Sequence, residues 1–394
     1  MKRSQGALLF LLRFNLGICS PVLSLILLSK GATLQTLPLA MGLYSATVIL
    51  FEVPSGVLAD LIGRKRVFLL SCLLNLAANG MLWGADRYLW LMPAMVLNGL
   101  GRAFSSGTLD ALFVEDAVRR GGEECLRNVT GEMSLCQNIA LMLGALTGGV
   151  LPVVSGYGAH MLLRLVLTGV TMLLAAVSVS ETRPAEASGA GRVTLRGHLR
   201  ACMAALREKL RLSGVLVCDL TLGIFISFIE TYWQSAFLAL AGESRRPLLG
   251  VVSAMGFGMQ SAGNLVLQRL PIRSEWRWYF GLRVLAALGT ALFVPGLGVP
   301  GFLAGYALIY LLLGGTDVLE QVLLNRMLPD AQRASFLSVS SLSLQAGGLS
   351  ANLIAAASVG ALGFTGLLWL GGGAVLLGTA VPALQGRRQK NTKE

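Results

Sequence analysis

Residues 56–66 read GVLADLIGRKR, and this short charged stretch lies between two long apolar runs. A membrane-spanning helix needs about 20 apolar residues, so we expect a helix on each side and a tight turn at a membrane surface between them. Gly56 and Gly63 allow a cramped backbone path. Asp60 is expected at the water boundary, where a carboxylate can pair with an arginine or with a helix N-terminus. The three bases at 64–66 predict that this turn is cytoplasmic.

The order and spacing of these residues resemble the loop signature of the major facilitator superfamily of secondary transporters, G-x-x-x-D-x-x-G-R-K/R. The matching residues of this chain are Gly56, Asp60, Gly63, Arg64 and Lys65. Leu61 stands where the family usually has an arginine, and its presence removes one ion-pair partner. The resemblance implies a transporter that uses the proton motive force and needs no cofactor.

The composition excludes an ordinary soluble protein. The chain of 394 residues is 54% hydrophobic and 13% charged, whereas about a quarter of the residues of a soluble domain are charged. We therefore predict an all-α integral membrane protein with twelve transmembrane helices in two six-helix pseudo-repeats. The spans cover approximately residues 7–28, 37–59, 67–85, 89–113, 131–152, 160–180, 214–240, 247–270, 278–297, 301–325, 335–358 and 364–385. The first run contains Arg13 and exceeds signal-peptide length, which favours a membrane helix over a cleavable leader.

The basic residues predict the orientation. If both termini are cytoplasmic, most of the 32 lysines and arginines fall in inner segments and few in outer loops. This bias predicts a multi-pass protein of the cell membrane with both termini in the cytoplasm. It also accounts for the net charge of +12 through contact with anionic lipid, so no nucleic-acid partner is expected.

A long polar loop divides the chain into two predicted bundles. We expect a six-helix bundle at 1–182, a cytoplasmic linker at 183–213 and a second six-helix bundle at 214–394. Within the linker, bases alternate with Leu and Met at helical spacing, which predicts an amphipathic helix on the inner membrane surface; a solvated linker is the alternative. The sequence GTLD at 107–110 recurs as GTD at 315–317, and six-plus-six repeats place the substrate near the membrane midplane.

Ionisable residues inside apolar spans are candidate functional residues, because a charge in hydrocarbon is costly. The candidates for proton and substrate binding are the ionisable residues Glu52, Arg102, Asp110, Glu230, Asp317 and Glu320, together with the neutral polar residue Gln345. In span 4, Arg102, Ser106 and Asp110 recur at helical spacing and predict one polar face. Transporters of the resembled family have on this helix an arginine that senses a proton-carrying acid, although the R-x-x-x-G spacing is one residue too long here. The alternative is that Arg102 only orders the bundle.

Two further acidic groups have alternatives of their own. Asp317 and Glu320 are neighbours on one helix face. Two adjacent carboxyl groups do not readily ionise together, so one of them tends to keep its proton, and a proton carrier needs such a group. Either could instead pair with Arg283 or Arg164. Glu230 precedes two aromatic residues at 232–233, and an acid beside aromatic rings suits an amphipathic cation. The alternative is that these rings belong to the interfacial belt.

The acidic end of span 4 completes a predicted gate. The resemblance implies that Glu115 or Asp116 pairs with Arg64, and that the row of Glu52, Gly56 and Asp60 faces span 11. The gating residues are Gly56, Asp60, Gly63, Arg64, Lys65, Glu115 and Asp116. We interpret them as controlling the balance between outward-open and inward-open states.

The direction of transport is predicted from residues 144–149, GALTGG. They look like the G-P-x-x-G-G element of the superfamily's proton-coupled exporters, with Ala145 in place of the proline, and they permit close packing of helices 2 and 5. We therefore predict a monomeric proton-coupled antiporter that exports a small amphipathic compound or drug. The alternative is a symporter that takes up a small nutrient such as a sugar or organic acid.

An enzyme is not expected. The chain has no HExxH motif and no Ser/His or Cys/His pair at a spacing that suggests catalysis. Its six cysteines form no CxxC pair, and its two histidines stand far apart. We therefore predict free thiols and no metal site.

Overall fold

The computed structural model describes residues 2–106, 108–122, 126–179, 210–327 and 330–391. All regular secondary structure in these ranges is helical. Residues 183–209, which hold most of the predicted amphipathic helix of the linker, and Gly107 of the proposed repeat lie outside the described residues.

The first half of the chain forms helices of very different length. They are α1 (Arg3–Cys19), α2 (Leu23–Ser29), α3 (Leu37–Ile62), α4 (Arg64–Gly84), α5 (Tyr88–Ser105), α6 (Thr108–Gly121) and α7 (Leu126–Ser178). Helix α7 contains 53 residues, about 80 Å of helix at 1.5 Å per residue, whereas a hydrocarbon core is about 30 Å thick. It is interrupted at Gly156, whose φ of 75° favours glycine.

The second half also forms helices of very different length and ends in one long, interrupted helix. Its helices are α8 (Leu210–Ala241), α9 (Leu248–Arg269), α10 (Glu275–Gly289), α11 (Gly298–Met327) and α12 (Asp330–Asn391), with short 3₁₀ turns at Glu243–Arg245, Thr290–Phe293 and Pro295–Leu297. Helix α12 is interrupted at Gly363, with a φ of 61°. Gly363 follows Gly156 at the interval at which Asp317 follows Asp110. The two long helices therefore break at equivalent places, as an internal repeat predicts.

In the part of the chain that the structure describes, fewer helices are long and apolar enough to cross a membrane than the twelve spans that the sequence predicts. Six helices of the described residues are long and apolar enough to cross a membrane, or seven if α1 and α2, bent by 52° at their break, count as one span. Two of the six, Val129–Ser178 and Val339–Pro382, contain the glycine breaks. A multi-pass helical membrane protein follows from these helices. The count of twelve spans stays a prediction.

Packing divides the chain into two compact units. Unit 1 comprises Met1–Thr33, Leu43–Ala190 and Glu243–Met255, and unit 2 comprises Leu34–Gly42, Gly191–Gly242 and Gly256–Glu394. The core of unit 1 includes Leu8, Phe68 and Phe113. The core of unit 2 includes Tyr279 and Leu319. The predicted domain boundaries stay a prediction.

The small residues at 144–149 bring α7 against α1. A Cβ atom on Gly144 would lie 2.3 Å from the carbonyl oxygen of Phe14, and one on Gly148 would lie 2.0 Å from that of Ile18. Backbone atoms of α1 fill the space that a side chain of either glycine would occupy. The prediction that these two glycines pack against the second span is therefore wrong. The absence of side chains still explains why α7 can approach another helix so closely.

Candidate substrate and proton sites

The motif at 56–66 forms a break of one residue between two helices. Helix α3 continues to Ile62, and Gly63 alone, with φ 98° and ψ 143°, separates it from α4. The predicted tight turn over the whole stretch is therefore wrong. Gly56 lies inside α3, where an added Cβ would meet nothing within 4 Å, so no steric reason requires glycine there. The side chain of Asp60 lies outside the described part of the structure.

The bases after Gly63 connect α4 to two other helices. Arg64 forms an ion pair with Glu115 of α6, one of its two predicted partners. The Nζ atom of Lys65 donates a hydrogen bond of 2.7 Å to the carbonyl oxygen of Ala176, in the last turn of α7. A cation at this position complements the unpaired carbonyl groups of a helix end. The junction of α3 and α4 is thus attached to both α6 and α7.

Asp116 has partners other than Arg64. It accepts hydrogen bonds from the Nε2 atom of Gln5 at 2.7 Å and from Arg120 at 2.5 Å, and Lys2 lies 3.3 Å away. Burial acts to raise the pKa of Asp116, but the hydrogen bonds from Gln5 and Lys2 and the charge of Arg120 outweigh it, so the pKa lies below its usual value. Asp116 therefore holds the start of α1 against α6.

A cavity of about 320 Å³ lies inside unit 1. Its charged lining consists of Arg13, Arg102, Arg164 and Asp110. Four asparagines also line it, namely Asn15, Asn75, Asn79 and Asn98. The cavity is therefore polar and carries more positive than negative charge.

The predicted polar stripe of span 4 is wrong as a helix face but correct as a grouping. Helix α5 ends at Ser105 and α6 begins at Thr108, so Arg102 and Asp110 lie on different helices. The ψ of 122° at Ser106 takes the chain out of the helical conformation. Arg102, Ser106 and Asp110 nevertheless all line the cavity.

Asp110 is held by two partners from other helices. Its carboxylate pairs with the Nη2 atom of Arg13 at 3.2 Å and accepts a hydrogen bond of 3.1 Å from the Nε2 atom of Gln137. Arg13 and Arg164 were absent from the predicted site. Arg102 was predicted because a charge in hydrocarbon is costly. The same criterion would have found these two arginines, which also lie within apolar runs.

A second cluster of charges lies inside unit 2. Arg283 of α10 is 0% exposed, and Asp219 of α8 is 2% exposed. The charge of Arg283 acts on Asp219 and on two carboxyl groups of α11, those of Asp317 and Glu320. The cluster thus contains three carboxyl groups and one guanidinium. Within unit 2, Arg283 is the cation that acts on the predicted acidic pair.

Each acid of this cluster also has a neutral partner. Gln260 donates to Asp317 at 3.0 Å, the Tyr279 hydroxyl group to Glu320 at 3.1 Å, and Ser340 to Asp219 at 2.7 Å. Arg283 itself donates to the carbonyl oxygen of Cys218. Gln345, the predicted amide of this half, is partly buried on α12, and Gln260 of α9 takes the place beside the aspartate.

Glu230 lies in an aromatic environment elsewhere in unit 2. It accepts a hydrogen bond from the hydroxyl group of Tyr310. The ring of Tyr310 is 4.6 Å from that of Tyr306, which is 5.3 Å from that of Trp233. Trp233 is 0% exposed, so its assignment to an interfacial belt is wrong. Most of the rings beside this acid come from α11 and were not predicted.

Glu52 lies in unit 1, partly buried on α3. Its charge and that of Arg102 both act on the hydroxyl group of Tyr44, which lines the cavity. Glu52 therefore lies near the cavity. Its predicted position opposite span 11 stays a prediction.

Comparison with known proteins gives relatives along most of the chain. A family model described as Major Facilitator Superfamily matches residues 6–316. The uncharacterized MFS-type transporter YxaM of Bacillus subtilis (strain 168) is 24% identical over 345 residues, which cover 83% of this chain and 81% of YxaM. A mutant of the nucleoside transporter NupG matches with a TM-score of 0.81 at 12% identity, covering 97% of this chain and 98% of NupG. A POT family transporter in complex with 5-aminolevulinic acid matches with a TM-score of 0.78 at 12% identity, covering 97% and 95%. At such identities the structural matches show the fold alone.

Proposed function

Because the chain belongs to the Major Facilitator Superfamily, we propose that it is a proton-coupled secondary transporter that works by alternating access. The family and the transporter-named relative make it a transporter of small molecules and not an enzyme. The coupling ion, the direction and the substrate are the proposed part.

The charge excess in unit 2 is the observation that carries proton coupling. Asp219, Asp317 and Glu320 share one cation, Arg283. An uncompensated charge taken out of water costs several kcal/mol, so three ionised carboxylates beside one guanidinium are unfavourable. Binding of protons removes this excess. The cluster is therefore suited to take up and release protons as its exposure to water changes.

The position of the cluster explains how a proton could change conformation. Each of the five α-helices described in the second half contributes a member: Asp219 from α8, Gln260 from α9, Arg283 from α10, Asp317 from α11 and Ser340 from α12. A carboxylate only accepts hydrogen bonds, whereas a protonated carboxyl group also donates one. Protonation therefore changes contacts between helices and can bias the equilibrium between two states of the transporter.

We propose export of a small amphipathic compound or drug in exchange for protons. The support is the likeness of residues 144–149 to the element of proton-coupled exporters. A second candidate, proton symport of an organic acid into the cell, is favoured by the three arginines of the cavity. An anion that enters a negative-inside cell works against about 2.3 kcal/mol per 100 mV, and co-transported protons offset this cost.

The setting that we propose is a monomer in the cell membrane with both termini cytoplasmic, driven by the proton motive force. In this orientation the Arg64–Glu115 ion pair and the Lys65 contact with α7 lie at the cytoplasmic surface. They would form in one state of the transport cycle and break in the other, as gating residues do.

Transport into inverted vesicles tests the proposal. Vesicles with an acidic interior and a pH dye inside receive amphipathic cations, organic acids and sugars one at a time. We expect an exported compound to dissipate the gradient with the wild-type protein and with the control Glu243→Gln, whose parent side chain is exposed and lies outside the cluster. Glu320→Gln should abolish the proton movement.

Three results would be decisive. Further acidification on addition of an organic acid would favour the symporter. Wild-type proton movement in Glu320→Gln would contradict the role of the cluster. No proton movement with any compound would contradict proton coupling.

A further inference from the structure

We propose that the cavity in unit 1 binds a small organic anion whose carboxylate or phosphate group pairs with Arg102 and Arg164. The inference rests on the proposed transport function and specifies its substrate class. It applies to either direction of transport.

The charge balance of the cavity favours an anion. Three guanidinium groups and one carboxylate line it, and that carboxylate, Asp110, is already engaged by Arg13 and Gln137. Within the part of the chain that the structure describes, neither Arg102 nor Arg164 forms an ion pair. The lining therefore carries an excess of positive charge, and Glu52, the further acid near the cavity, is not part of that lining. A cationic drug would be repelled there.

Arg164 gives the strongest geometric argument. It is 7% exposed, and its Nε and Nη1 atoms have no hydrogen-bond partner among the described residues. A buried polar group without a partner is costly, and a buried charge more so. A carboxylate or phosphate supplies two acceptor oxygens in the plane of the guanidinium group, which is the arrangement that arginine binds best. Nε and Nη1 lie on different edges of the guanidinium group, so one anion cannot bind both as a fork, but each lacks an acceptor oxygen of the kind that a carboxylate or phosphate supplies.

The asparagines indicate what the rest of the ligand carries. The Oδ1 atoms of Asn15 and Asn79 are buried and have no donor among the described residues. The amide nitrogen of Asn15 is already used, because it donates to Thr168 at 2.8 Å. Buried acceptors require donors, which bound water or a ligand can supply. A ligand that carries hydroxyl or amide groups beside its anionic group therefore suits this lining better than a purely lipophilic compound.

The volume limits the ligand to a small metabolite. Ligand pockets have volumes of roughly 300–1,000 Å³, and this cavity, at about 320 Å³, lies at the lower end. The side chains of Leu12, Leu16 and Leu109 contribute an apolar part to the lining. A hydroxylated or amide-bearing carboxylate or phosphate ester with a short carbon skeleton fits these constraints.

The test is ligand-induced stabilisation of the full-length protein in detergent, in a buffer whose only anion is chloride. The probes are sets with a common skeleton: hydroxy acids against their amides, sugar phosphates against the free sugars, and amino sugars as cations. The unfolding temperature is followed by tryptophan fluorescence up to millimolar probe. We expect at least one anionic probe to stabilise the protein and its neutral counterpart to fail. Comparison of the acid and phosphate sets identifies the anionic group.

The variants locate the binding. Arg102→Gln and Arg164→Gln should each weaken the affinity for that probe about tenfold or more, equivalent to about 1.4 kcal/mol. Arg87→Gln, which changes an exposed arginine outside the cavity, should leave it unchanged. If Arg164→Gln does not fold, Arg102→Gln decides, since Arg102 is exposed in the described structure.

Three outcomes would overturn the inference. They are stabilisation by no anionic probe, a neutral or cationic probe as the best ligand, and unchanged affinity in the arginine variants. Failure of the proposed function gives a different result. If an anion binds through these arginines but no proton movement occurs in vesicles, the anion site is supported and proton coupling is contradicted. If a neutral compound drives proton movement, proton coupling is supported and the anion site is contradicted.

Discussion

Gly223→Ala should both destabilise unit 2 and disturb the proposed proton site. Gly223 of α8 meets α12 at a crossing where the backbones touch: its added Cβ would lie 2.0 Å from the carbonyl oxygen of Leu344. The contact is reciprocal, because a Cβ on Gly347 would lie 2.0 Å from the carbonyl oxygen of Leu220. Ordinary contact begins at 3.4 Å, so the two helices must separate by more than 1 Å, about 1.4 Å at this point.

The expected magnitude is a balance of two terms. Overpacking of a well-packed core costs about 1–3 kcal/mol, and alanine recovers about 0.8–1 kcal/mol of helix propensity relative to glycine. We therefore expect a net loss of about 1 kcal/mol, and up to about 2. Asp219 lies one turn before Gly223, and its bond of 2.7 Å to Ser340 bridges the same two helices. Their separation should also reduce proton coupling.

Thermal unfolding in detergent measures the stability, and the vesicle assay measures the coupling. The matched control is Gly281→Ala on α10, where an added Cβ would meet nothing within 4 Å. This control should unfold at or above the wild-type temperature because it gains only helix propensity. If Gly223→Ala and Gly281→Ala unfold at the same temperature, close backbone contact is not what requires glycine at the crossing.

Two further predictions concern unit 1. Gly63→Ala should destabilise the protein by about 1–3 kcal/mol, because φ 98° is strained for any residue with a side chain. Gly56→Ala, which lies inside α3 and has open space, should unfold at or above the wild-type temperature because it gains only helix propensity. Equal losses of stability in the two variants would contradict this reason. The pKa of Asp116 lies below its usual value of 3.8, so its contribution to stability is complete above that pH and is lost as the pH falls through the lower, folded-state pKa. Unfolding temperatures measured from pH 7 downward should therefore fall more steeply for the wild type than for Asp116→Asn. The corresponding difference in the free energy of unfolding is less than about 1 kcal/mol, because this group is partly exposed. Parallel curves would show that its partners do not stabilise the carboxylate.

Much of the fold could be predicted from local sequence. The glycine at 63, the bases after it and the pairing of Arg64 with Glu115 follow from a motif whose residues act close to where they stand. The grouping of Arg102 with Asp110 was also predicted, although the helix that was to carry both breaks between them. Helix ends and breaks depend on backbone contacts that residue spacing does not reveal.

The partners of the buried charges could not be predicted. Asp110 pairs with Arg13, ninety-seven positions away along the chain, and Asp317 is bonded by Gln260 and not by Gln345. In a membrane protein the outer face of a helix is as apolar as its packed face, so hydrophobic periodicity does not show which side faces the bundle. The rotation of each helix therefore has to come from packing.

Composition and short motifs were enough to predict the family, the helical membrane class and the presence of costly intramembrane charges. The tertiary fold sets which of these charges meet. It joined Asp219 to the acids of α11 around Arg283, and it left Arg102 and Arg164 facing a polar cavity without ion-pair partners among the described residues. The physical reason is that the energy of a buried charge depends on atoms within a few ångströms of it, and those atoms come from helices far apart in the chain.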